Sequence, residues 1–312
     1  MATSASRTTA WLFPGQGSQY VGMGQALARA DESVATTIRS ADEILGIPLS
    51  DIIFNGPESE LIATKNQQPA IVTISTAYFL ALRERNALPE PEFVAGHSLG
   101  EYSALIAAGA LGLSDGLRLV RRRGELMREH GTGSMAAIIG LEGEVVDRIA
   151  REAGAEVANH NAPGQITISG RTDTVERAVE LASAAGARRA LMLPVSGAFH
   201  SSLMAPVVDG MRPLIDATHF TKSAVPLVTN VDARPIQHPD DLRTELLDQI
   251  CAPVRWVDVV TTMSNAGVTH FHEIGPGKVL SGLVQRIARG AVTVTAETLL
   301  QTPPARTNSQ AN

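Results

Sequence analysis

The segment Gly96-His97-Ser98-Leu99-Gly100 constrains the fold most strongly, because it lies between an apolar run at 93–95 and a helix-like stretch at 101–108. A strand, a Gly-x-Ser-x-Gly turn and a helix are typical of a nucleophile elbow, in which a sharp turn raises a serine hydroxyl above a sheet. The first N–H groups of the following helix then point toward a developing oxyanion. Ordinary glycine-rich turns also contain this pattern, but its position between a strand and a helix favours Ser98 as a nucleophile.

Strand and helix patterns alternate along most of the chain. Strands are predicted at 10–13, 93–95, 227–229, 270–274 and 292–296, and helices at 32–45, 70–85, 101–108, 114–130, 241–250, 257–266, 279–288 and after Ser201. Ser114 is the predicted N-cap of the helix that ends at His130. This alternation predicts an α/β protein with a mainly parallel sheet that is covered by helices on both faces.

The pattern changes between residues 133 and 197. Strands are predicted there at 135–139, 157–160, 165–169 and 190–193, and helices at 142–153 and 172–185. The resulting order, βαββαβ, is that of a ferredoxin-like unit. We therefore expect a large domain formed by residues 8–132 and 198–300, an inserted small domain at 133–197, and a disordered polar tail at 301–312.

Composition narrows the class of protein further. The 312 residues are 44% hydrophobic and carry a net charge of −6, which argues against general binding of nucleic acid. The single cysteine, Cys251, excludes an internal disulfide and suits a reducing compartment. No apolar run approaches the roughly 20 residues of a membrane span, and the first ten residues lack signal-peptide features. We expect a soluble cytoplasmic protein that does not bind a membrane.

His200 is the candidate base, because it comes where the chain re-enters the large domain and where a cleft between the domains is expected. From the sequence alone, a structural histidine is an equally good interpretation of this residue. His97 precedes Ser98 directly, but successive side chains at a tight turn point in different directions. We therefore expect His97 to support the turn rather than accept the serine proton.

Arg123 falls inside the apolar stripe of the helix predicted at 114–130. A guanidinium stays charged at neutral pH, so its burial requires an anionic partner. The partner is either a carboxylate of this chain in an internal ion pair or a substrate carboxylate bound bidentately. The spacing of residues does not separate these two alternatives.

The loop Gly15-Gln16-Gly17-Ser18-Gln19 follows the first predicted strand. Its backbone N–H groups are placed to complete an oxyanion hole with the N–H of Leu99, or the loop is a flexible glycine turn. The loop does not match the dinucleotide-binding pattern, because Tyr20 occupies the third glycine position, and Gly275-Pro276-Gly277-Lys278 does not match a P-loop. No spacing typical of metal ligands is present, so we expect neither a metal nor a cofactor.

Six motifs together resemble those of the malonyl-CoA:acyl-carrier-protein transacylases of bacterial fatty-acid synthesis. They are Phe13-Pro-Gly-Gln-Gly-Ser-Gln19, Gly96-His-Ser-Leu-Gly-Glu-Tyr-Ser103, Arg123-Gly124, Asn161-Ala-Pro-Gly-Gln165, Gly197-Ala-Phe-His200 and Glu273-Ile-Gly-Pro-Gly-Lys278. The resemblance covers nearly the whole chain except both tails, and it shows no departure at a catalytic position. The order and spacing of the motifs are more specific than any single motif.

The resemblance implies a large α/β-hydrolase-like domain with a ferredoxin-like insertion, and a malonyl transfer through a malonyl-serine intermediate. It assigns Ser98 as nucleophile and His200 as base, with the backbone carbonyl of Gln249 orienting the imidazole. The implied oxyanion hole consists of the N–H groups of Gln16 and Leu99. The residues implied to bind substrate are Arg123 at the malonyl carboxylate, Phe199 beside the α-carbon, His97 and Asn161. The substrates are malonyl-CoA and phosphopantetheinylated acyl carrier protein.

Two other enzymatic functions remain open at this point. A discrete acyltransferase of a polyketide synthase has the same catalytic residues, and a serine hydrolase releases the acyl group to water. A non-catalytic scaffold does not explain an intact Ser98 and His200. Acyl carrier proteins are expected to be acidic, so a basic docking patch is expected either at Arg188 and Arg189 or at Arg121 and Arg122, although solvated surfaces explain these pairs equally well.

Overall fold

Two sheets organise the computed structural model, which describes residues 8–195 and 197–301. The strands are β1 (Thr9–Phe13), β2 (Phe93–Gly96), β3 (Ser134–Ile139), β4 (Glu156–Ala162), β5 (Gln165–Gly170), β6 (Arg189–Met192), β7 (Leu227–Val228), β8 (Pro235–Ile236), β9 (His270–Glu273) and β10 (Val292–Thr295).

Fourteen α-helices accompany these strands in the described part of the chain. They are α1 (Gln25–Ala30), α2 (Glu32–Leu45), α3 (Leu49–Asn55), α4 (Glu58–Leu61), α5 (Thr64–Glu84), α6 (Gly100–Ala107), α7 (Leu113–His130), α8 (Gly143–Ala153), α9 (Thr172–Ala184), α10 (Ala205–Ala217), α11 (Pro239–Asp248), α12 (Trp256–Asn265), α13 (Val279–Ile287) and α14 (Ala296–Gln301). A 3₁₀ turn at Ser202–Met204 precedes α10.

The larger sheet has the order β10-β9-β1-β2-β7-β8, and only β8 runs antiparallel to its neighbour. All five residues of β1, near its centre, are buried, as expected for a strand covered on both faces. Parallel strands place their carboxyl ends at one edge, where α/β proteins bind ligands. This edge carries the loop after β1, the elbow after β2 and the segment after β7.

The smaller sheet has the order β4-β5-β3-β6 and is antiparallel throughout. Its own apolar core includes Ile138, Val146, Ile168 and Val175, contributed by β3, α8, β5 and α9. Element order and strand order together are those of a ferredoxin-like unit. The predicted fold class, a mainly parallel α/β sheet with a ferredoxin-like insertion, is therefore confirmed. The residue boundaries proposed for the two domains stay a prediction.

Two helix starts differ from the sequence prediction. Helix α7 begins at Leu113 with the extended residue Gly112 as its N-cap, so the prediction of Ser114 as the cap was wrong. Helix α5 begins at Thr64, six residues before the predicted start, and contains Pro69. Proline has no N–H to donate to the carbonyl four residues earlier. The guanidinium of Arg121 instead donates to that Lys65 carbonyl at 3.2 Å, which explains why the helix continues through Pro69.

Short elements account for most of the remaining differences. Helices α1, α3, α4 and α14 and strand β8 were not predicted, since helices of four to seven residues and a two-residue strand carry little periodicity. Gln301, assigned to the disordered tail, ends α14, and the rest of that tail, 302–312, lies outside the described residues. No helix in the described ranges is long and apolar enough to cross a membrane.

Candidate active site

Ser98 lies at the tip of a sharp turn between β2 and α6, with a left-handed φ of 50°. The turn requires glycine on both sides of the serine. A Cβ on Gly96 would lie 1.9 Å from the carbonyl carbon of Gly100, and a Cβ on Gly100 would lie 2.1 Å from the carbonyl oxygen of Phe13. The predicted nucleophile elbow is present, with the strain that such turns carry at functional serines.

His200 contacts the serine hydroxyl directly. Its Nε2 lies 2.8 Å from Ser98 Oγ, and its Nδ1 lies 2.8 Å from the carbonyl oxygen of Gln249 and 3.1 Å from that of Ala252. Because both carbonyls only accept, Nδ1 carries the hydrogen and Nε2 is free to accept the serine proton. Burial, with smaller contributions from Arg123 and His97, lowers the pKa of His200 to about 3 and keeps the imidazole neutral.

Arg123 is completely buried behind the nucleophile. Its Nη2 lies 3.3 Å from both Ser98 Oγ and Gln249 Oε1, whereas Nε and Nη1 have no hydrogen-bond partner in the part of the chain that the structure describes. Burial lowers the pKa of Arg123, while Tyr102 and Glu101 act in the opposite direction. Across residues 8–195 and 197–301, no carboxylate lies within 4.0 Å of this guanidinium, so the internal ion pair left open by the sequence does not form.

The loop after β1 packs tightly against the elbow. A Cβ on Gly15 would lie 2.3 Å from the carbonyl oxygen of His97. The side chain of Gln16 donates to Gln67 Oε1 at 2.5 Å and accepts from Gln68 Nε2 at 3.2 Å, so it is fixed from helix α5. Among the described residues, the backbone N–H groups of Gln16 and Leu99 donate to no backbone or side-chain acceptor. Both donors therefore remain available for an oxyanion.

A cavity of about 840 Å³ opens between the two sheets, at the carboxyl edge of the larger one. Six of the nine predicted site residues line it: Gln16, His97, Ser98, Asn161, Phe199 and His200. The other three, Leu99, Arg123 and Gln249, are fully buried. A substrate carboxylate therefore reaches Arg123 only if side chains at the cavity floor move aside.

His97 joins the larger sheet to the smaller one across this cavity. Its Nε2 lies 2.8 Å from Asn161 Oδ1, and Asn161 Nδ2 donates to Thr167 Oγ1 at 3.3 Å. Burial lowers the pKa of His97 and favours the neutral ring. Asn161 and Thr167 present polar groups at the cavity surface, and Asn159 lines the same wall.

Three buried polar residues below the elbow were missed. Asn230 Oδ1 accepts from the Ser98 backbone N–H at 2.7 Å, and Asn230 Nδ2 donates to the Gly96 carbonyl at 2.7 Å. Glu101 and Glu245 contact the backbone of Asn230. A carboxyl within the otherwise apolar start of α6 was a signal for Glu101, but no local pattern pointed to Asn230 or Glu245.

This fold and site are typical of α/β enzymes that act through an acyl-serine. The sequence profile of the family described as "acyl transferase domain" matches residues 10–302. The chain belongs to the acyl transferase domain family. Acyl transfer is therefore the class of reaction that this protein catalyses.

Individual relatives show which kind of acyl transferase this chain resembles. The chain is 45% identical over 293 residues to the malonyl CoA-acyl carrier protein transacylase of Bacillus subtilis strain 168, covering 91% of this chain and 92% of the relative. It is 38% identical to the protein of that name from Staphylococcus aureus strain MRSA252, covering 93% and 96%. These relatives confirm the resemblance predicted from the six motifs.

Solved structures of similar proteins share the fold. The malonyl CoA-acyl carrier protein transacylase of Coxiella burnetii superposes with a TM-score of 0.92 at 35% identity, covering 94% of this chain and 96% of that one. A malonyl-transacylase in complex with its type II polyketide synthase acyl-carrier protein gives a TM-score of 0.91 at 40% identity, covering 94% and 99%.

Proposed function

We propose that this chain transfers the malonyl group of malonyl-CoA to the phosphopantetheine thiol of an acyl carrier protein, through a malonyl ester on Ser98. The observation that carries the proposal is the buried Arg123, a cation with no ionic partner among the described residues, 3.3 Å from the serine Oγ. A carboxylated acyl group supplies the missing anion. The relatives named as malonyl CoA-acyl carrier protein transacylases support this choice of substrates.

Acylation of Ser98 is the first half of the reaction. His200 Nε2 takes the proton from Oγ, across a distance of 2.8 Å, as Oγ attacks the thioester carbonyl of malonyl-CoA. The N–H groups of Gln16 and Leu99 stabilise the tetrahedral oxyanion, and losing one such donor typically costs about 10²–10³-fold in rate. The C–S bond then breaks, and the proton on His200 passes to the departing CoA thiolate.

The second half of the reaction regenerates Ser98. His200, neutral again, takes the proton from the phosphopantetheine thiol as its sulfur attacks the malonyl ester carbonyl. The same oxyanion donors stabilise the second tetrahedral intermediate, and the proton returns to the serine oxygen as the ester bond breaks. Two substrates that use one site in turn produce ping-pong kinetics. Every group in this route belongs to this chain or its substrates, so we propose that no cofactor takes part.

Arg123 selects for a carboxylated acyl group. Its two unpaired donors, Nε and Nη1, leave hydrogen-bonding capacity for a substrate carboxylate. An acetyl group leaves the buried cation unpaired, at a cost on the order of 3–5 kcal/mol relative to malonyl. Phe199, which lines the cavity beside His200, is proposed to limit the space at the α-carbon and to favour malonyl over methylmalonyl.

The carrier protein is proposed to dock on the basic pair at Arg188 and Arg189. Both side chains are exposed; Arg188 precedes strand β6, and Arg189 is its first residue. The alternative pair is less available, because Arg121 donates to Glu125 at 2.8 Å and Arg122 contacts Glu125 and Glu129. Bacterial fatty-acid synthesis in the cytoplasm is the proposed setting, and the single cysteine, Cys251, suits that reducing compartment.

Intact-mass analysis tests the proposed transfer. The protein is mixed with malonyl-CoA, and holo acyl carrier protein is then added. We expect a malonyl adduct that is absent in Ser98→Ala and that moves to the carrier. An adduct that decays at the same rate with and without carrier would identify a hydrolase, and the absence of any adduct would overturn the mechanism. A fatty-acid carrier and a polyketide carrier offered side by side distinguish the two transferase functions.

A further inference from the structure

Two glutamates meet in the protein interior, directly beneath the nucleophile elbow. Glu101 of α6 is fully buried, and Glu245 of α11 is 6% exposed. The Oε1 atoms of both accept from one donor, the backbone N–H of Asn230, at 2.8 Å and 2.9 Å. Because both Oε1 atoms contact the same N–H, the two carboxyl groups lie side by side. A hydrogen bond between two carboxyl groups requires a proton on one of them.

The surroundings indicate which carboxyl holds that proton. Glu245 accepts two N–H donors, from Asn230 and Val231, and Glu101 also accepts two, so burial rather than the number of donors distinguishes the two carboxyls. Glu101 lies deeper, and burial together with the negative charge of Glu245 raises its pKa well above the usual range. Glu101 is thus the acid and Glu245 the carboxylate.

The pair is bonded to the residues that hold the catalytic dyad. The backbone N–H of Asn230 donates to both glutamates. The side-chain Oδ1 of Asn230 accepts from the Ser98 backbone N–H at 2.7 Å. Gln249 donates from Nε2 to Glu101 Oε2 at 2.9 Å, and its backbone carbonyl accepts from His200. The bond from Arg123 to Gln249 Oε1 fixes which end of the amide faces Glu101.

We propose that Glu101 and Glu245 share one proton and act as positioning residues for the acyl transfer. The pair holds Asn230 and Gln249, which in turn hold Ser98 and His200. Because Glu101 is neutral, the positive charge of Arg123 remains available for the substrate carboxylate. This inference rests on the proposed malonyl transfer for its kinetic test, but its spectroscopic test does not.

The charges around the pair set the direction of its pH dependence. Arg123 faces Glu101 from α7, Glu245 faces it from α11, and Tyr102 lies beside it on α6; Asp232, after β7, acts on Glu245. His200, neutral near the same arginine, adds no charge. When the pH rises through the pKa of Glu101, the site gains a second negative charge. That charge weakens the attraction between Arg123 and the malonyl carboxylate, so KM rises.

The variant Glu101→Gln distinguishes a proton shared by the two carboxyl groups from a carboxyl group that only supports the fold. An amide nitrogen in the place of Oε1 donates to Glu245, and an amide oxygen in the place of Oε2 accepts from Gln249. The variant therefore retains the bonds to Glu245 and Gln249 but cannot ionise, and Glu245 Oε1 remains as the acceptor of the Asn230 N–H. Glu273→Gln is the matched control, since Glu273 is also a buried carboxyl and caps the start of α13 away from the pair.

The kinetic test measures KM and the rate of Ser98 acylation by malonyl-CoA from neutral to alkaline pH, using quenched-flow mass analysis. In the wild type and in Glu273→Gln, we expect kcat/KM to fall as the pH rises through the pKa of Glu101, mainly through a higher KM. In Glu101→Gln, acylation stays within a few-fold of wild type at neutral pH, and this fall disappears. An unchanged alkaline fall in Glu101→Gln, or an inactive variant that is folded, would overturn the proposal.

Infrared spectroscopy tests the proton itself. At neutral pH, we expect a carboxylic-acid C=O band in the wild type that is missing in Glu101→Gln. In the wild type, the band disappears over the pH range in which kcat/KM falls, a result that can be obtained even if the variant does not fold. A band identical in both proteins, or one unchanged through that range, overturns the shared proton. A wild type that never acquires malonyl overturns the proposed function instead, and the infrared result still stands.

Discussion

The two sides of Ser98 differ in how completely their polar groups are paired. On the base side, His200 Nδ1 has two carbonyl partners, Nε2 has the serine hydroxyl, and Gln249 bonds through both ends of its amide. On the acceptor side, Arg123 keeps two donors without partners. The N–H groups of Gln16 and Leu99 there likewise have no acceptor among the described residues.

In the proposed mechanism, this difference separates the groups that catalyse from the groups that recognise the substrate. Leaving a buried donor unpaired costs about 1–3 kcal/mol, so a fold retains such groups where a ligand completes them. The paired side stays constant through both halves of the proposed reaction. The unpaired side is complementary to a carboxylate and an oxyanion; the described residues place neither there, and the proposed substrate supplies both.

His200→Ala is the largest expected disruption of the paired side. Removing the base leaves the serine proton without an acceptor, and we expect acylation of Ser98 to fall by on the order of 10⁴-fold. Quenched-flow mass analysis with malonyl-CoA measures the rate, and His219→Ala, at a histidine outside the cavity, is the control. A loss of less than tenfold in folded His200→Ala would mean that another group accepts the proton.

Arg123→Ala disrupts the unpaired side, and its effect depends on the substrate. We expect kcat/KM for malonyl-CoA to fall by roughly 10²–10³-fold, from a lost charge pair of about 3–5 kcal/mol, while the preference over acetyl-CoA largely disappears. Acylation by each thioester is compared in Arg123→Ala and in Arg118→Ala, a change at an exposed arginine of the same helix. Equal losses with both thioesters would show that Arg123 supports the fold of the site rather than recognising the carboxylate.

The acid side of the pH profile provides a test of the paired side without mutation. The pKa of His200 is lowered to about 3 by burial, so the base stays neutral well below the ordinary histidine pKa of about 6.5. We expect acylation to persist as the pH falls through 6.5, where an exposed histidine base would lose tenfold per unit. A rate that halves near pH 6.5 would contradict the buried, neutral imidazole.

The same lowered pKa affects stability. Below about pH 6.5 the unfolded chain binds a proton at His200 that the folded chain does not, so the free energy of unfolding falls as the pH decreases toward 3. Thermal unfolding of wild type and His200→Gln at several acidic pH values measures this contribution. The variant should show the smaller decrease.

Sequence patterns predicted those parts of the site that depend on local geometry. The elbow at Ser98 and the βαββαβ insertion follow from turn chemistry and from the order of elements. Arg123 was identified because a charge in an apolar stripe is visible in one helix. Asn230 and Glu245 were not identified, because only the strand order of the larger sheet brings the segment after β7 next to β2.

A similar limit applies to helix boundaries. Helix α5 passes through Pro69 with the Lys65 carbonyl bonded to Arg121, 56 residues away, and no local rule for proline includes such a donor. That contact is an example of tertiary structure acting over local propensity. Helix α7 begins at Leu113, after the extended residue Gly112 and not at Ser114.

The smallest expected effect concerns the smaller sheet, which contributes polar groups to the cavity wall. Asn161→Ala removes the 2.8 Å contact with His97, a hydrogen bond that contributes about 0.5–1.5 kcal/mol. We expect KM for malonyl-CoA to rise by up to about tenfold with kcat little changed, since the dyad and Arg123 lie in the larger sheet's part of the site.

Arg286→Ala is the matched comparison for that change. Arg286 of α13 donates to the carbonyl of Pro163 at 3.0 Å and to Gln165, so it ties the β4–β5 turn to the larger sheet without contacting the dyad. If Asn161 acts by holding the smaller sheet in place, both variants raise KM equally. If Asn161 contacts the substrate, only Asn161→Ala raises KM. A fall in kcat with unchanged KM in Asn161→Ala would contradict both interpretations, because it would mean that Asn161 acts on the chemical step rather than on substrate binding.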